Sequence, residues 1–379
     1  GNGKPTAPAV FLSGNGPLVA VLQHELKSAG GGGKTFVRGV KEYVTAHTTG
    51  RSRRVPAQHV LVYDEAQRAY DAAMVKEKHK DNPGAAMSEP ELFVGFAERV
   101  PEWCIVLALI GSGQEIHKGE EAGIAQWATA LAQSCRCDEW DIHGPARFAS
   151  EFAGLTYESH QSLSLDVTLR SHLAENLHEY VAKLVSDEGG PEHLAGLHRL
   201  ATELEEDGYD LRVTRDLDVA KRYLRDRYAE DSLARFGIVA SSRDAELPRF
   251  GVNNDFQATK RVRFGPWYGD SEGDDGGRSC RYLRECVTEF GAQGLELDGV
   301  LLAWGTDFVR DGERWNSSRM RKYTSKGARV KDAHQLRANA YRVLLTRARD
   351  VTVTFVPDLP ELDATFETLL AAGFRQVKH

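Results

Sequence analysis

Apolar residues occur along the chain in short, nearly unbroken runs, each followed by a longer stretch where apolar positions return every three or four residues. Runs at residues 9–13 (AVFLS), 59–65 (HVLVYDE) and 103–111 (WCIVLALIG) predict strands buried on both faces, as in a parallel sheet. Helices are predicted at 17–27, with Pro17 in the first turn, and at 36–47, 89–99 and 120–134. The alternation then repeats. Strands are expected at 236–241, 287–290, 299–304 and 351–356, and helices near 172–186, 191–206, 216–227 and 334–347. This order predicts an α/β chain of two parallel-sheet domains, 1–150 and 151–379, joined near residues 140–160, the second set of elements following the polar, mixed-charge segment CRCDEWDIHGPARF at 135–148. The Gly/Asp-rich segment 268–279 is expected to be a surface loop.

Composition narrows the function classes. With 379 residues, 41% hydrophobic and 27% charged, the chain has the profile of a soluble globular protein that can bury two cores. No apolar run approaches the roughly 20 residues of a membrane span, and the start GNGKPTAPAV lacks a secretory pattern, so a cytoplasmic protein is expected. Cys104, Cys135, Cys137, Cys280 and Cys286 are too unevenly spaced for a disulfide framework and lack C-x2-4-C zinc spacing, so reduced thiols are expected. A net charge of −7 excludes a polycation that coats nucleic acid indiscriminately. Residues 310–329 nonetheless carry seven Lys/Arg against two acids, with Trp315 and Tyr323 interleaved. That stretch is either a solvated loop or a patch that contacts a nucleic-acid backbone and stacks on bases.

Two stretches bear on phosphate chemistry. Ser28 to Phe36, SAGGGGKTF, ends like a P-loop, but Ser28 stands where the first glycine belongs and the preceding segment has helical rather than strand periodicity. It is expected to be a flexible connector. Gly3-Lys4-Pro5 fails as well, because proline replaces the hydroxyl residue. HVLVYDEAQRAYD is more specific, since a buried strand ending in Asp64-Glu65 puts two carboxylates where parallel sheets bind ligands. In phosphoryl transfer to water, Asp64 suits the Mg²⁺ ligand and Glu65 the group that orients and deprotonates water. The alternative for such a pair is a helix-capping role.

DEAQRAYD resembles motif II of superfamily-one helicases, and five further stretches resemble other motifs of that superfamily in the required order. FLSGNGPL (11–18) is similar to motif Ia, and LALIGSGQEIHKGEEAGIAQW (107–127) to motif III with Gln114. LDVTLRSH (165–172) is similar to motif IV with Arg170, VTEFGAQGLELDGVLLAW (287–304) to motif V, and NAYRVLLTRARD (339–350) to motif VI with Arg347. Their wording is similar to the Schlafen-related bacterial family. The resemblance implies two RecA-like domains, the first N-terminally incomplete, with ATP and Mg²⁺ at the cleft between them and DNA or RNA as the partner strand. It implies that Gln114 meets the γ-phosphate and that Arg170 and Arg347 stabilise transferring charge. Gln67, Arg68, Gly294, Glu296 and Arg349 would serve the nucleotide, Glu296 through a ribose hydroxyl. Ser13, Asn15, Thr288 and Gln293 would serve nucleic acid, with Gly291 and Gly294 allowing close backbone approach. For Ser13 and Asn15 a plain strand-to-helix turn is the competing expectation.

The chain departs from that pattern in two places. It contains no P-loop before motif Ia, which is expected upstream of Gly1, and motif III reads G-S-G-Q rather than G-D-x-x-Q. Three functions remain in view: a helicase or translocase motor, a nucleotide-gated switch that controls an attached effector such as a nuclease, and an inert fragment that acts as a binding module.

Overall fold

Strands β1 (Ala7–Ser13), β2 (Val37–Gly39), β3 (Gln58–Asp64) and β4 (Ile105–Ala108) pair in the order β2-β1-β3-β4, all parallel. The computed structural model describes residues 7–48, 54–78, 87–111, 123–164, 172–271, 277–322 and 332–377. Gln114, Arg170 and Tyr323 lie outside the described residues. The chain divides into two compact units, 1–168 and 169–379.

In the first unit the register sets Ser13 opposite Asp64, so the polar ends of two apolar strands coincide. The helix Gly16–Ser28 starts where Asn15 accepts the Leu18 N–H through its side chain (3.3 Å), with proline in the first turn. The helix Glu89–Ala97 starts at a capping box made by Ser88 and Glu91. Val10, Leu12, Leu61, Tyr63, Phe93 and Trp127 fill the core beneath the sheet. A small parallel pair, β5 (Ile142–Gly144) and β6 (Tyr157–Ser159), follows. That pairing ties residues 157–159 to the N-terminal side of position 150, so the first unit extends past the boundary expected from the polar segment.

Two expectations in this unit are corrected. The helix expected at 36–47 starts at Val40, because Val37–Gly39 is extended and pairs with β1 as an edge strand. The glycine run leads into a one-turn helix, Gly33–Phe36, anchored at Gly33, rather than forming a loose connector. Gly30 has φ +84°, and Gly33 is buried where a Cβ would lie 2.3 Å from the Gln23 carbonyl oxygen. Gln23 in turn donates to the Val37 carbonyl at 2.8 Å, which fixes the exit into β2.

In the second unit, β7 (Asp210–Thr214), β8 (Phe236–Ala240), β9 (Cys286–Thr288), β10 (Leu297–Ala303), β13 (Ala348–Phe355) and β14 (Arg375–Gln376) form one parallel sheet. Its order is β14-β7-β13-β10-β8-β9, and β11 (Val309–Asp311) and β12 (Arg314–Asn316) make a separate antiparallel hairpin. The helices Pro191–Glu206 and Leu217–Arg227 fall where expected, the second capped by Asp216, which accepts from the Asp218 and Val219 N–H groups. The strand expected at 287–290 stops at Thr288, because Glu289 opens a short helix to Ala292. Strand β7 was not anticipated. Among the described residues no helix is long and apolar enough to cross a membrane.

Candidate functional site

Asp64 and Glu65 stand at the C-terminal edge of the first sheet, the edge at which parallel α/β sheets receive ligands. Asp64 is half-buried. Burial pushes its carboxyl above the usual range, the adjacent Glu65 charge adds to that, and a 3.0 Å hydrogen bond from the Ser13 hydroxyl opposes it. Glu65 adopts a left-handed backbone (φ 54°, ψ 46°), an uncommon conformation for a residue with a long side chain. The turn is pinned on both sides. The Ala66 N–H donates to the Leu109 carbonyl at 2.7 Å, and the Trp127 indole donates to the Ala66 carbonyl at 2.9 Å.

Gln67 connects this turn to the start of the motif III stretch. Its side-chain amide donates to the Glu65 carboxylate at 2.5 Å and its carbonyl accepts the Gly111 N–H at 3.0 Å. Arg68 pairs with the same Glu65 oxygen at 3.5 Å. A Cβ on Gly111 would lie 3.6 Å from the Glu65 carboxylate, so the backbone beyond β4 runs directly beside it. The geometry therefore brings Ser13, Asp64, Glu65, Gln67 and Arg68 together. Ser13 and Asn15 take different parts from those expected. Ser13 is buried and spends its hydroxyl on Asp64 and on the Asn15 N–H (3.1 Å), while the Asn15 side chain caps a helix, as in the strand-to-helix-turn alternative.

In the second unit the candidates separate onto opposite edges of one sheet. Gly294 (φ +77°), Glu296, Arg347 and Arg349 lie at the N-terminal start of β10 and β13. Thr288 ends β9 at the other edge. Arg347 is buried, donating to the Val343 carbonyl (2.9 Å), the Leu295 carbonyl (3.4 Å) and the Thr346 hydroxyl (3.3 Å). Arg349 is the exposed one, paired with Glu296 at 3.2 Å. Thr288 and Gln293 are buried, as Arg347 is. Gly291 approaches Phe264 rather than a ligand, since a Cβ there would meet the ring at 2.8 Å.

The basic stretch is described as far as Lys322. Trp315 is buried, stacks on Phe308 (4.6 Å) and Trp304 (5.4 Å), and donates to the Leu184 carbonyl at 2.8 Å, so it offers no platform for bases. Arg310 lies over the same indole at 5.3 Å and bonds to the Glu188 carbonyl at 3.1 Å. The five cysteines are unpaired, with Cys280 and Cys286 buried.

One cluster went unnoticed in the sequence. At the C-terminal ends of β8, β9 and β10, buried Arg337 donates to Glu289 (3.0 Å), Asp307 (3.2 Å) and the Ser241 hydroxyl (2.5 Å). Tyr341 donates to Asp307 at 2.8 Å, and Ser242 donates to Glu289 through its N–H and hydroxyl, both at 2.8 Å. The available signal was an arginine four residues before Tyr341, on the apolar face of the helix Ala333–Leu345, where a cation requires buried acids.

Comparison with known proteins bears on the family. Residues 3–358 match the family described as Schlafen group 3, DNA/RNA helicase domain. A comparison with curated proteins finds no match. Among solved structures the chain is similar to a Dbp5 variant from S. cerevisiae bound to RNA and ADP BeF3. The identity is 11%, the alignment covers 99% of this chain and 78% of that chain, and the TM-score is 0.29, too distant to carry function. Two parallel-sheet units accompany a family match that runs over residues 3–358 of 379, and that match gives the assignment: the chain belongs to the Schlafen group 3 DNA/RNA helicase domain family.

Proposed function

We propose that the chain is the motor portion of a nucleic-acid-dependent ATPase, a helicase or translocase. The observation that supports this best is the turn after β3, where Ser13, Gln67 and Arg68 hold Asp64 and Glu65 in place at a ligand-receiving sheet edge. An oxygen-only donor pair with one half-buried carboxylate fits a hard cation such as Mg²⁺, with Asp64 as the residue that would hold it. Bound there, the ion would neutralise charge on phosphate oxygens. Glu65 orients the attacking water and accepts its proton. Gln114 reads the γ-phosphate, and Arg170 and Arg347 stabilise the transferring charge, a contribution worth about three to five decades of rate in related chemistry. The Gly294–Leu295 turn, through the Leu295 carbonyl, sets the position of Arg347. Glu296 and Arg349 serve the nucleotide from the same edge.

Among the described residues β4 is an edge strand of its sheet, and Trp103, Ile105 and Leu107 leave apolar side chains exposed along it, which suits pairing with a further strand. The protein should hydrolyse ATP faster with DNA or RNA than without, and Glu65→Gln should lower kcat by about two to four decades while nucleotide binding persists. Nucleic-acid-independent hydrolysis, or full activity in Glu65→Gln, refutes the motor reading.

A second reading, a nucleotide-gated switch acting on an attached effector such as a nuclease, is favoured by the burial of Trp315 and the net charge of −7. ATP-dependent structural change with no strand displacement or translocation would select it.

A further inference from the structure

We propose that His143, Glu158 and His160 form a binding site for a zinc-type transition-metal ion on the β5–β6 pair. The three side chains meet because of strand register. His143 on β5 lies directly opposite Glu158 on β6, and His160 follows Glu158 by two residues, which returns it to the same face. The His160 N–H donates to the Gly144 carbonyl at 2.8 Å and so extends the ladder to the third ligand.

The distances suit one ion. His143 Nδ1 and His160 Nε2 are 3.0 Å apart, His143 Nδ1 is 3.7 Å from Glu158 Oε2, and His160 Nε2 is 3.5 Å from Glu158 Oε1. Ligands about 2.0–2.1 Å from a tetrahedral zinc ion are separated by about 3.3 Å, and one ligand atom from each of the three residues lies within 4.8 Å of the others, close enough to gather on one ion. Two imidazoles and a carboxylate favour zinc and its neighbours over magnesium or calcium, which take oxygen ligands. His143 and Glu158 are exposed, which gives an ion access and leaves the fourth position to water.

The opposite face of the pair is locked. Tyr157 donates to the Pro145 carbonyl at 2.7 Å and stacks on Phe152 at 5.4 Å, and a Cβ on Gly144 would lie 2.5 Å from the Tyr157 hydroxyl. Two three-residue strands are marginal on their own. A metal bridge from one to the other closes the connection between them and stabilises this end of the unit. Asp64 and Glu65 take no part in it.

The test uses the purified protein freed of metal by chelator and titrated with Zn²⁺, with Co²⁺ as the spectroscopic probe. One equivalent should bind, Co²⁺ should give the strong visible bands of a tetrahedral site, and Zn²⁺ should raise the unfolding midpoint where Mg²⁺ does not. His143→Ala and His160→Ala should each abolish stoichiometric binding and the midpoint shift. Cys135→Ser with Cys137→Ser should change neither. Absence of stoichiometric binding, which would leave the histidines as a hydrogen-bonded pair, overturns the proposal, as does binding that survives both histidine substitutions.

Discussion

Replacing Arg337 with methionine removes the only cation that both Glu289 and Asp307 contact in their hydrogen-bonded cluster among the described residues. All three side chains are at most 2% exposed, so neither carboxylate can recover its solvation from water. Breaking a buried ion pair of this kind costs about 3–5 kcal/mol. Four hydrogen bonds survive: from Ser241 and Tyr341 to Asp307, and from the Ser242 N–H and hydroxyl to Glu289. They put the expected loss near the lower end, about 3 kcal/mol. At a typical urea dependence this moves an unfolding midpoint by about 1 M or more. Tryptophan emission can follow it, because the Trp304 ring packs, tilted, 4.5 Å from that of Tyr341, a member of the same cluster. Combining Arg337→Met with Glu289→Gln and Asp307→Asn removes the stranded charges and should recover much of the loss. A single-variant shift below about 0.3 M, or a triple variant no better than the single, would show that the cluster is not a structural ion network.

Three further outcomes are expected. Burial raises the Glu89 carboxyl, against hydrogen bonds from Tyr63 and the Tyr70 N–H, so the folded state keeps this proton to higher pH than the unfolded chain. The resulting stabilisation is complete below the ordinary glutamate pKa and is lost as pH rises through the raised value. Glu89→Gln should therefore flatten the fall in thermal midpoint between acid and neutral pH, and parallel curves would contradict the assignment. Gly33→Ala should destabilise the first unit by about 1–3 kcal/mol in urea unfolding, whereas Gly14→Ala, with nothing within 4 Å of its Cβ position, should be tolerated. Trp315→Ala should cost about 3–5 kcal/mol of stability yet leave nucleic-acid affinity of the folded protein unchanged in fluorescence anisotropy; a selective loss of affinity would restore the stacking reading.

The legible parts of the fold are those whose signals are local. Strands β1, β3 and β10 are continuous apolar runs, and Asn15, Ser88 and Asp216 announce helix starts by side-chain chemistry that acts within three residues. The carboxylate pair was legible because it closes one of those runs. Strand β7 was not, because DLRVT alternates charged and apolar residues, although it lies inside the sheet with its arginine paired to Asp210 at 2.6 Å. Arg337 and Glu289 stand 48 residues apart, and only the packed helix against the sheet edge brings them together. Trp315 misled for a related reason. Its neighbours in sequence are basic, but its neighbours in space are Trp304 and Phe308. His143 on β5 and His160 just past β6 acquire meaning only from the register of a parallel pair.

Glu65 sits in a backbone conformation that asparagine and glycine adopt more readily than glutamate does. Removing its carboxylate by Glu65→Asn or Glu65→Gly would therefore relax the turn while eliminating the proposed base. An inactive protein of that kind should be easier to purify and hold intact than the native one, whereas Glu65→Gln keeps the strained turn as it is. For trapping a nucleotide-bound state, the choice between these substitutions decides whether the captured turn is the native one or its relaxed counterpart.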